Sequence, residues 1–200
     1  MNPSLTTSVL NLLSIHRWRR YMMVRLSLLV LAGVLPFSVT AQDTEKLAPY
    51  YPTPNTIVEK MLLMGGLKAG EKMFDLGSGD GRIVVMAAQK FHAQATGVEL
   101  DKDLCRQSLD KIKRMGLQDN AHIINGDLLK QVYTSADLIT VYLLPISNDK
   151  VSPLLEKQLK KGARVVAHDF EFKNWTPDKV ENIEDDGEGR SHTLYLYIKK

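Results

Sequence analysis

Two hundred residues, 44% of them hydrophobic, suffice for one domain with one sizeable core and leave no room for a second catalytic domain. Four of the 26 basic residues and none of the 23 acidic ones fall in residues 1–41, so the formal charge of +3 becomes 22 basic against 23 acidic groups in the remainder. A body of net −1 has no global attraction to nucleic acid, and the single cysteine, Cys105, excludes an internal disulfide and a cysteine-rich zinc site.

At the start of the chain, Arg17, Trp18, Arg19, Arg20 and Arg25 precede the apolar run 26–39, which ends in Val39-Thr40-Ala41 before Gln42. Basic, apolar and small-residue segments in that order are those of a secretory signal, and a run of about 14 residues is short of the about 20 that a spanning helix needs. Residues 1–41 are therefore expected to be a signal peptide cleaved after Ala41, with an uncleaved membrane anchor as the alternative. The protein is accordingly expected in the periplasm or outside the cell, with membrane contact only through this segment and a membrane-anchored or cytoplasmic location as the alternative.

Residues 42–54 are polar and proline-rich, which restricts them to extended or turn shapes. A helix is predicted over 56–64, with Asn55 or Thr56 as its N-cap and Ile57, Met61 and Met64 at helical spacing. Together 42–64 form an N-terminal lid-and-helix segment ahead of the main domain, 65–200. From there strands and helices alternate: strand 72–76 and helix 81–90, strand 93–99 and helix 102–115, strands 122–125 and 138–143, helix 148–159, strand 163–168, then strands 179–183 and 192–198. Such alternation predicts an α/β fold, a Rossmann-like three-layer sandwich around a mostly parallel seven-stranded sheet. The final strand pair has no helix between its members, so the last strand is expected to be antiparallel.

The run Phe74-Asp75-Leu76-Gly77-Ser78-Gly79-Asp80-Gly81-Arg82 closes an apolar strand with three glycines at every second position and opens a helix. Without a Cβ the backbone can turn sharply and lie close to a ligand, and the amides of the following helix can face its polar groups. A dinucleotide fingerprint requires its third glycine where Arg82 stands, which weakens a nicotinamide reading. Glu99 lies 22 residues after Gly77, at the end of the second strand, where its carboxylate can accept both hydroxyls of a ribose; Leu100 follows it, and Asp101 is placed to cap the next helix. Asp75 could orient the glycine loop through its amides or meet an amino group, Asp80 is either a contact or a solvated charge, and Arg82 is a cation at the unfavourable end of a helix. Asn125-Gly126-Asp127-Leu128 ends the third strand, with Asp127 either an adenine contact or ordinary turn chemistry. On the same edge Tyr142 and Pro145 follow the fourth strand, and His168 and Asp169 end the fifth; Trp175 either walls a pocket or packs in the core.

Glycine run, Glu99 and Asp127 together resemble motif I and the succeeding acidic motifs of the class I S-adenosylmethionine-dependent methyltransferases. Pro-x-x-Pro-Thr-Pro before the first helix, Asp-Leu-Gly-Ser-Gly-Asp-Gly-Arg, Gly-Val-Glu-Leu, Gly-Asp-Leu, Tyr-Leu-Leu-Pro and Gly-Ala-Arg-Val-Val-x-His-Asp-Phe make the chain similar, over about residues 49–175, to small bacterial relatives of a mitochondrial protein-lysine N-methyltransferase family. The resemblance implies S-adenosylmethionine as cofactor, no metal, and a protein lysine as methyl acceptor. It also implies a lid with Tyr51 and Thr53 as cofactor contacts, joined by Asp75, Gly77, Ser78, Gly79, Asp80, Gly81, Glu99, Leu100, Asp127 and Leu128. The acceptor end is then expected at Tyr142, Pro145, His168 and Asp169, with Tyr142, Leu143, Leu144 and Phe170 as an apolar mouth that favours a neutral amine. The same cofactor half would serve a small-molecule methyltransferase or a non-catalytic cofactor-binding envelope module, whereas a nucleic-acid acceptor is disfavoured by the charge of the body.

Overall fold

Seven strands and four α-helices lie along residues 49–200, the part of the chain that the computed structural model describes. Helix α1 (Asn55–Met64) precedes β1 (Lys72–Leu76), α2 (Arg82–Phe91), β2 (Gln94–Glu99), α3 (Lys102–Arg114) and β3 (Ala121–Asn125). A single 3₁₀ turn (Leu128–Lys130) leads to β4 (Leu138–Val141), α4 (Pro145–Gln158), β5 (Arg164–His168), β6 (Lys179–Ile183) and β7 (His192–Ile198). The leader at 1–41 and the start of the proline-rich segment lie outside the described residues, and among the described residues no helix is long and apolar enough to cross a membrane.

All four residues of β4 are buried, the pattern of a strand covered on both faces. It is the middle strand of one sheet ordered β3-β2-β1-β4-β5-β7-β6, in which β1 to β5 run parallel and β7 lies antiparallel between β5 and β6. Period-two alternation then divides the core. On one face Met73, Leu138, Val166 and Leu194 meet Ile57, Val58, Met61 and Leu62 of α1 and Ile83, Val84, Ala87 and Ala88 of α2. On the other, Leu76, Ile139, Val165 and Tyr197 meet Val151 and Leu155 of α4. The three-layer α/β sandwich with a mostly parallel sheet and an antiparallel last strand is thus as predicted, and α1 is built into the same core as the strands.

Several boundaries differ for local reasons. Pro54, not Asn55 or Thr56, is the N-cap of α1, and no side chain caps it; the Thr56 hydroxyl instead donates to the Asp186 carbonyl at 2.8 Å. Helix α4 begins at Pro145, three residues before the predicted start, because proline at the first helical position has a preset φ and loses no hydrogen bond there. Strand β4 correspondingly stops at Val141, which leaves Tyr142 and Leu143 in the turn above the sheet.

Candidate active site

Parallel strands β1 to β5 all end at one edge of the sheet, and the turns that follow β1 to β4 build a cleft there. From β1 the chain passes through Gly77-Ser78-Gly79-Asp80-Gly81 into α2. Gly79 adopts φ +53, and a Cβ there would stand 2.8 Å from the Tyr50 ring, so the loop and the segment above it meet only because this residue is glycine. Beneath the loop, a Cβ on Gly97 of β2 would approach Ser78 Oγ to 2.5 Å; the bare backbone at Gly97 lets the loop settle on the sheet.

Glu99, the last residue of β2, holds this geometry. One carboxylate oxygen accepts from the Gly79 amide at 2.8 Å and the other from the Asp101 amide at 2.8 Å, clamping the glycine loop to the start of α3. Asp101 caps that helix by accepting from the Asp103 and Leu104 amides, as expected. Asp75, expected as a possible anchor of the loop amides, is turned elsewhere: the residue is 2% exposed and its carboxylate accepts from the Thr140 hydroxyl of β4 at 2.8 Å. Burial pushes its pKa up to about 7; the Thr140 bond opposes the shift, and the charges of Glu99 and Asp80 add to it.

Asp80 faces two cations, Arg82 at 2.9 Å and Lys111 at 2.8 Å, so its charge is spent within the protein. That pairing offsets the unfavourable place of Arg82 at the start of α2, and Arg82 Nη1 also donates to the Thr53 carbonyl at 2.8 Å. Asp127 Oδ1 accepts from the Leu129 amide at 2.8 Å, capping the 3₁₀ turn, while Oδ2 lies 3.6 Å from Lys130; its cap chemistry is satisfied and the group still lines the cleft beside Leu128. Segment 49–53 closes the cleft from above. Here Tyr51, 55% exposed, meets Arg190 Nη1 through its hydroxyl at 2.8 Å, and buried Thr53 sets Oγ1 3.4 Å from His168 Nδ1.

Tyr51, Thr53, Asp75, Gly77, Ser78, Gly79, Asp80, Glu99, Leu100, Asp127, Leu128 and Tyr142 all line this one cleft. Gly81 does not; it is the N-cap of α2. Nor do three of the four residues expected at the acceptor end. Pro145 starts α4, His168 is fully buried, and Asp169 contributes no surface to the wall. Tyr142 stands between the two groups: its ring packs on His168 at 3.9 Å and stacks on Phe170 at 6.3 Å. Burial, then the neighbouring Asp169 carboxylate, pushes its hydroxyl up to about 12. Trp175 stacks on Phe172 at 4.6 Å within the core and walls no part of the cleft.

Sequence reasoning missed His192, Asp186, Arg190 and Thr140. Thr140 was legible as the register partner of Asp75 once β1 and β4 were neighbours. His192 and Asp186 belong to the β6–β7 hairpin, whose position beside the end of β5 follows from pairing of His168 with Leu194; no local pattern signals it.

A family model described as the ANTKMT methyltransferase domain matches residues 75–179. A protein-lysine N-methyltransferase of Saccharolobus islandicus is 38% identical over 151 residues, covering 75% of this chain and 92% of that protein. The adenine nucleotide translocase lysine N-methyltransferase of Mus musculus is 33% identical over 132 residues, 66% of this chain and 57% of its own length, so the chain spans under two thirds of that relative. Among solved structures, an RNA methyltransferase from Salinibacter ruber, in complex with S-adenosyl-L-homocysteine, superposes with a TM-score of 0.69 at 36% identity, covering 74% of this chain and 94% of that one. With the motif residues gathered on one sheet edge and these likenesses spanning most of its length, the chain belongs to the ANTKMT methyltransferase domain family.

Proposed function

We propose that this protein transfers a methyl group from S-adenosylmethionine to the side-chain amine of a protein lysine. One observation carries the cofactor assignment: Asp75, Glu99 and Asp127 stand at the ends of three adjacent strands around a glycine loop, in one cleft. The residues present fit the cofactor. Ser78 Oγ is buried in the loop without a hydrogen-bond partner, and a buried carboxyl at Asp75 lines the cleft. In this reading Glu99 accepts the ribose hydroxyls, Asp127 the adenine amine, and Asp75 faces the amino group of the methionine moiety, with Leu128 against the adenine face. Tyr51 and Thr53 cover the cofactor from above.

When bound, the cofactor supplies an electrophilic methyl on a sulfonium whose departing thioether is neutral, so no acid is needed behind it. What the protein must do is position the acceptor and exclude water. A lysine amine, with an ordinary pKa of about 10.4, must arrive neutral. Tyr142, with Phe170 stacked on its ring, and Leu143 give the cleft an apolar wall where the neutral form is favoured, and no side chain need act as base.

Support for lysine as acceptor comes from the names of the Saccharolobus and mouse relatives, and from the near-neutral body. The Salinibacter structure, named an RNA methyltransferase, makes RNA the second reading. Incubating the full-length protein with isotopically labelled S-adenosylmethionine, lysine-rich proteins and total RNA distinguishes them. Label on lysine in peptide mass spectra is expected; label confined to RNA overturns the lysine assignment, and tight cofactor binding with no transfer to any acceptor overturns catalysis. We also propose export, on the strength of the leader at 17–41; a mature N-terminus at Gln42 in cell-envelope extracts is the expected result, and an intact leader on a protein confined to the cytoplasm would refute it.

A further inference from the structure

Behind Tyr142, outside the cofactor cleft, three donor atoms converge. His168 Nε2, at the end of β5, lies 2.9 Å from His192 Nδ1, at the start of β7. Asp169 Oδ2 lies 3.2 Å from the same His192 nitrogen and 3.4 Å from His168 Nε2. The three atoms thus form a nearly equilateral triangle. Ligand atoms held at about 2.0–2.2 Å around a tetrahedral zinc stand about 3.3 Å apart, so this triangle has the size of one face of that tetrahedron.

The outer nitrogen of each imidazole is also held. His192 Nε2 lies 3.2 Å from Asp186 Oδ2, and His168 Nδ1 lies 3.4 Å from Thr53 Oγ1. A carboxylate or hydroxyl on the far nitrogen is how metal-bound histidines are oriented. With the His192 Nε2 proton directed to Asp186, its Nδ1 lone pair faces the Asp169 carboxylate. Two acceptors at that distance repel unless a proton or a cation lies between them. One proton on His168 Nε2 serves a single edge of the triangle; a cation over its centre serves all three. Asp169 is moreover held at φ +58, a conformation uncommon outside glycine, with its other oxygen fixed by the Thr193 amide at 2.9 Å. His168 is fully buried and His192 nearly so, which limits competition from water.

We propose that His168, Asp169 and His192 form a binding site for one divalent transition-metal ion of the zinc class, with water completing the coordination. Two imidazoles and one carboxylate suit zinc, whereas magnesium and calcium take oxygen ligands. The ion would pin together the end of β5, the β6–β7 hairpin through Asp186, and the segment over the cleft through Thr53. The site does not depend on which acceptor the enzyme methylates.

The test is to strip the full-length protein with chelator, add Zn²⁺, remove the excess, and measure bound metal by elemental analysis and affinity by calorimetry. One zinc per chain is expected, and Co²⁺ in its place should give the intense visible bands of a four-coordinate centre. Asp169→Asn keeps the side-chain shape and the tolerance of positive φ, and should lower affinity at least 100-fold, as should His192→Ala; Asp186→Asn should lower it roughly 10- to 100-fold. His122→Ala, at an exposed histidine on β3, is the control and should bind as the parent does. A folded parent protein that retains no stoichiometric zinc, or zinc binding unchanged in both Asp169→Asn and His192→Ala, overturns the site and leaves a hydrogen-bonded cluster.

Discussion

The two halves of the cleft edge are built in different ways. At the ends of β1, β2 and β3 carboxylates are fixed by backbone amides of the turns: Glu99 accepts from Gly79 and Asp101, and Asp127 caps the turn that follows it. At the ends of β4 and β5 and the start of β7 side chains are fixed by other side chains, with Thr53 against His168 across 115 positions and His168 against His192 across 24. The first half is a cradle whose geometry would serve any methyl acceptor; the second is a packed aromatic and histidine assembly able to differ between enzymes of one fold. Cofactor binding and acceptor chemistry should therefore be separable by mutation.

Glu99→Ala tests that separation most severely. It removes two charge-assisted bonds to backbone amides together with the proposed ribose acceptor, so S-adenosylmethionine affinity should fall roughly 100-fold or more in calorimetry. Tyr142→Ala should do the opposite. Its loss opens the acceptor wall and exposes His168, so kcat should fall roughly 10-fold while cofactor affinity changes by less than about 3-fold. Equal loss of both quantities in either variant would break the division between the halves.

Gly79→Ala probes the cradle without touching a charge. The left-handed conformation and the Tyr50 ring should together cost about 1–2 kcal/mol, seen as a lower Tm and weaker cofactor binding. The effect of Asp75→Asn depends on pH. Because the folded pKa of about 7 lies above the unfolded value of 3.8, the folded state binds the proton more tightly, and this group's contribution to stability is present at low pH and lost as pH rises to about 7. Asparagine can still accept from Thr140 and never ionises, so the Tm of the variant relative to the parent should rise between pH 4 and 7 and then level off. A Tm difference that is flat across that range would show that Asp75 titrates near its ordinary value.

Reading elements in chain order predicted every strand, because alternating apolar runs and glycine turns are local signals. β6 and β7 matched at both ends, whereas α4 was misplaced at its start because Pro145 favours the first helical turn as well as it marks the end of a strand. The residues of the cleft were legible for the same reason: Gly77, Gly79, Glu99 and Asp127 sit at fixed offsets from strand ends. His168 and Asp169 were found only as strand-end residues, and their partners His192 and Asp186 were not found at all.

By itself the sequence determined the layer architecture, the glycine turn and the acids around it, since each rests on the conformational preferences of residues adjacent in the chain. Only the tertiary structure decided which carboxylate clamps the loop, that Asp80 is consumed by Arg82 and Lys111, and that two histidines and Asp169 share one point. Those outcomes follow from strand order and register, with β7 inserted between β5 and β6, and such pairing is set by burial of the whole sheet rather than by any segment of it.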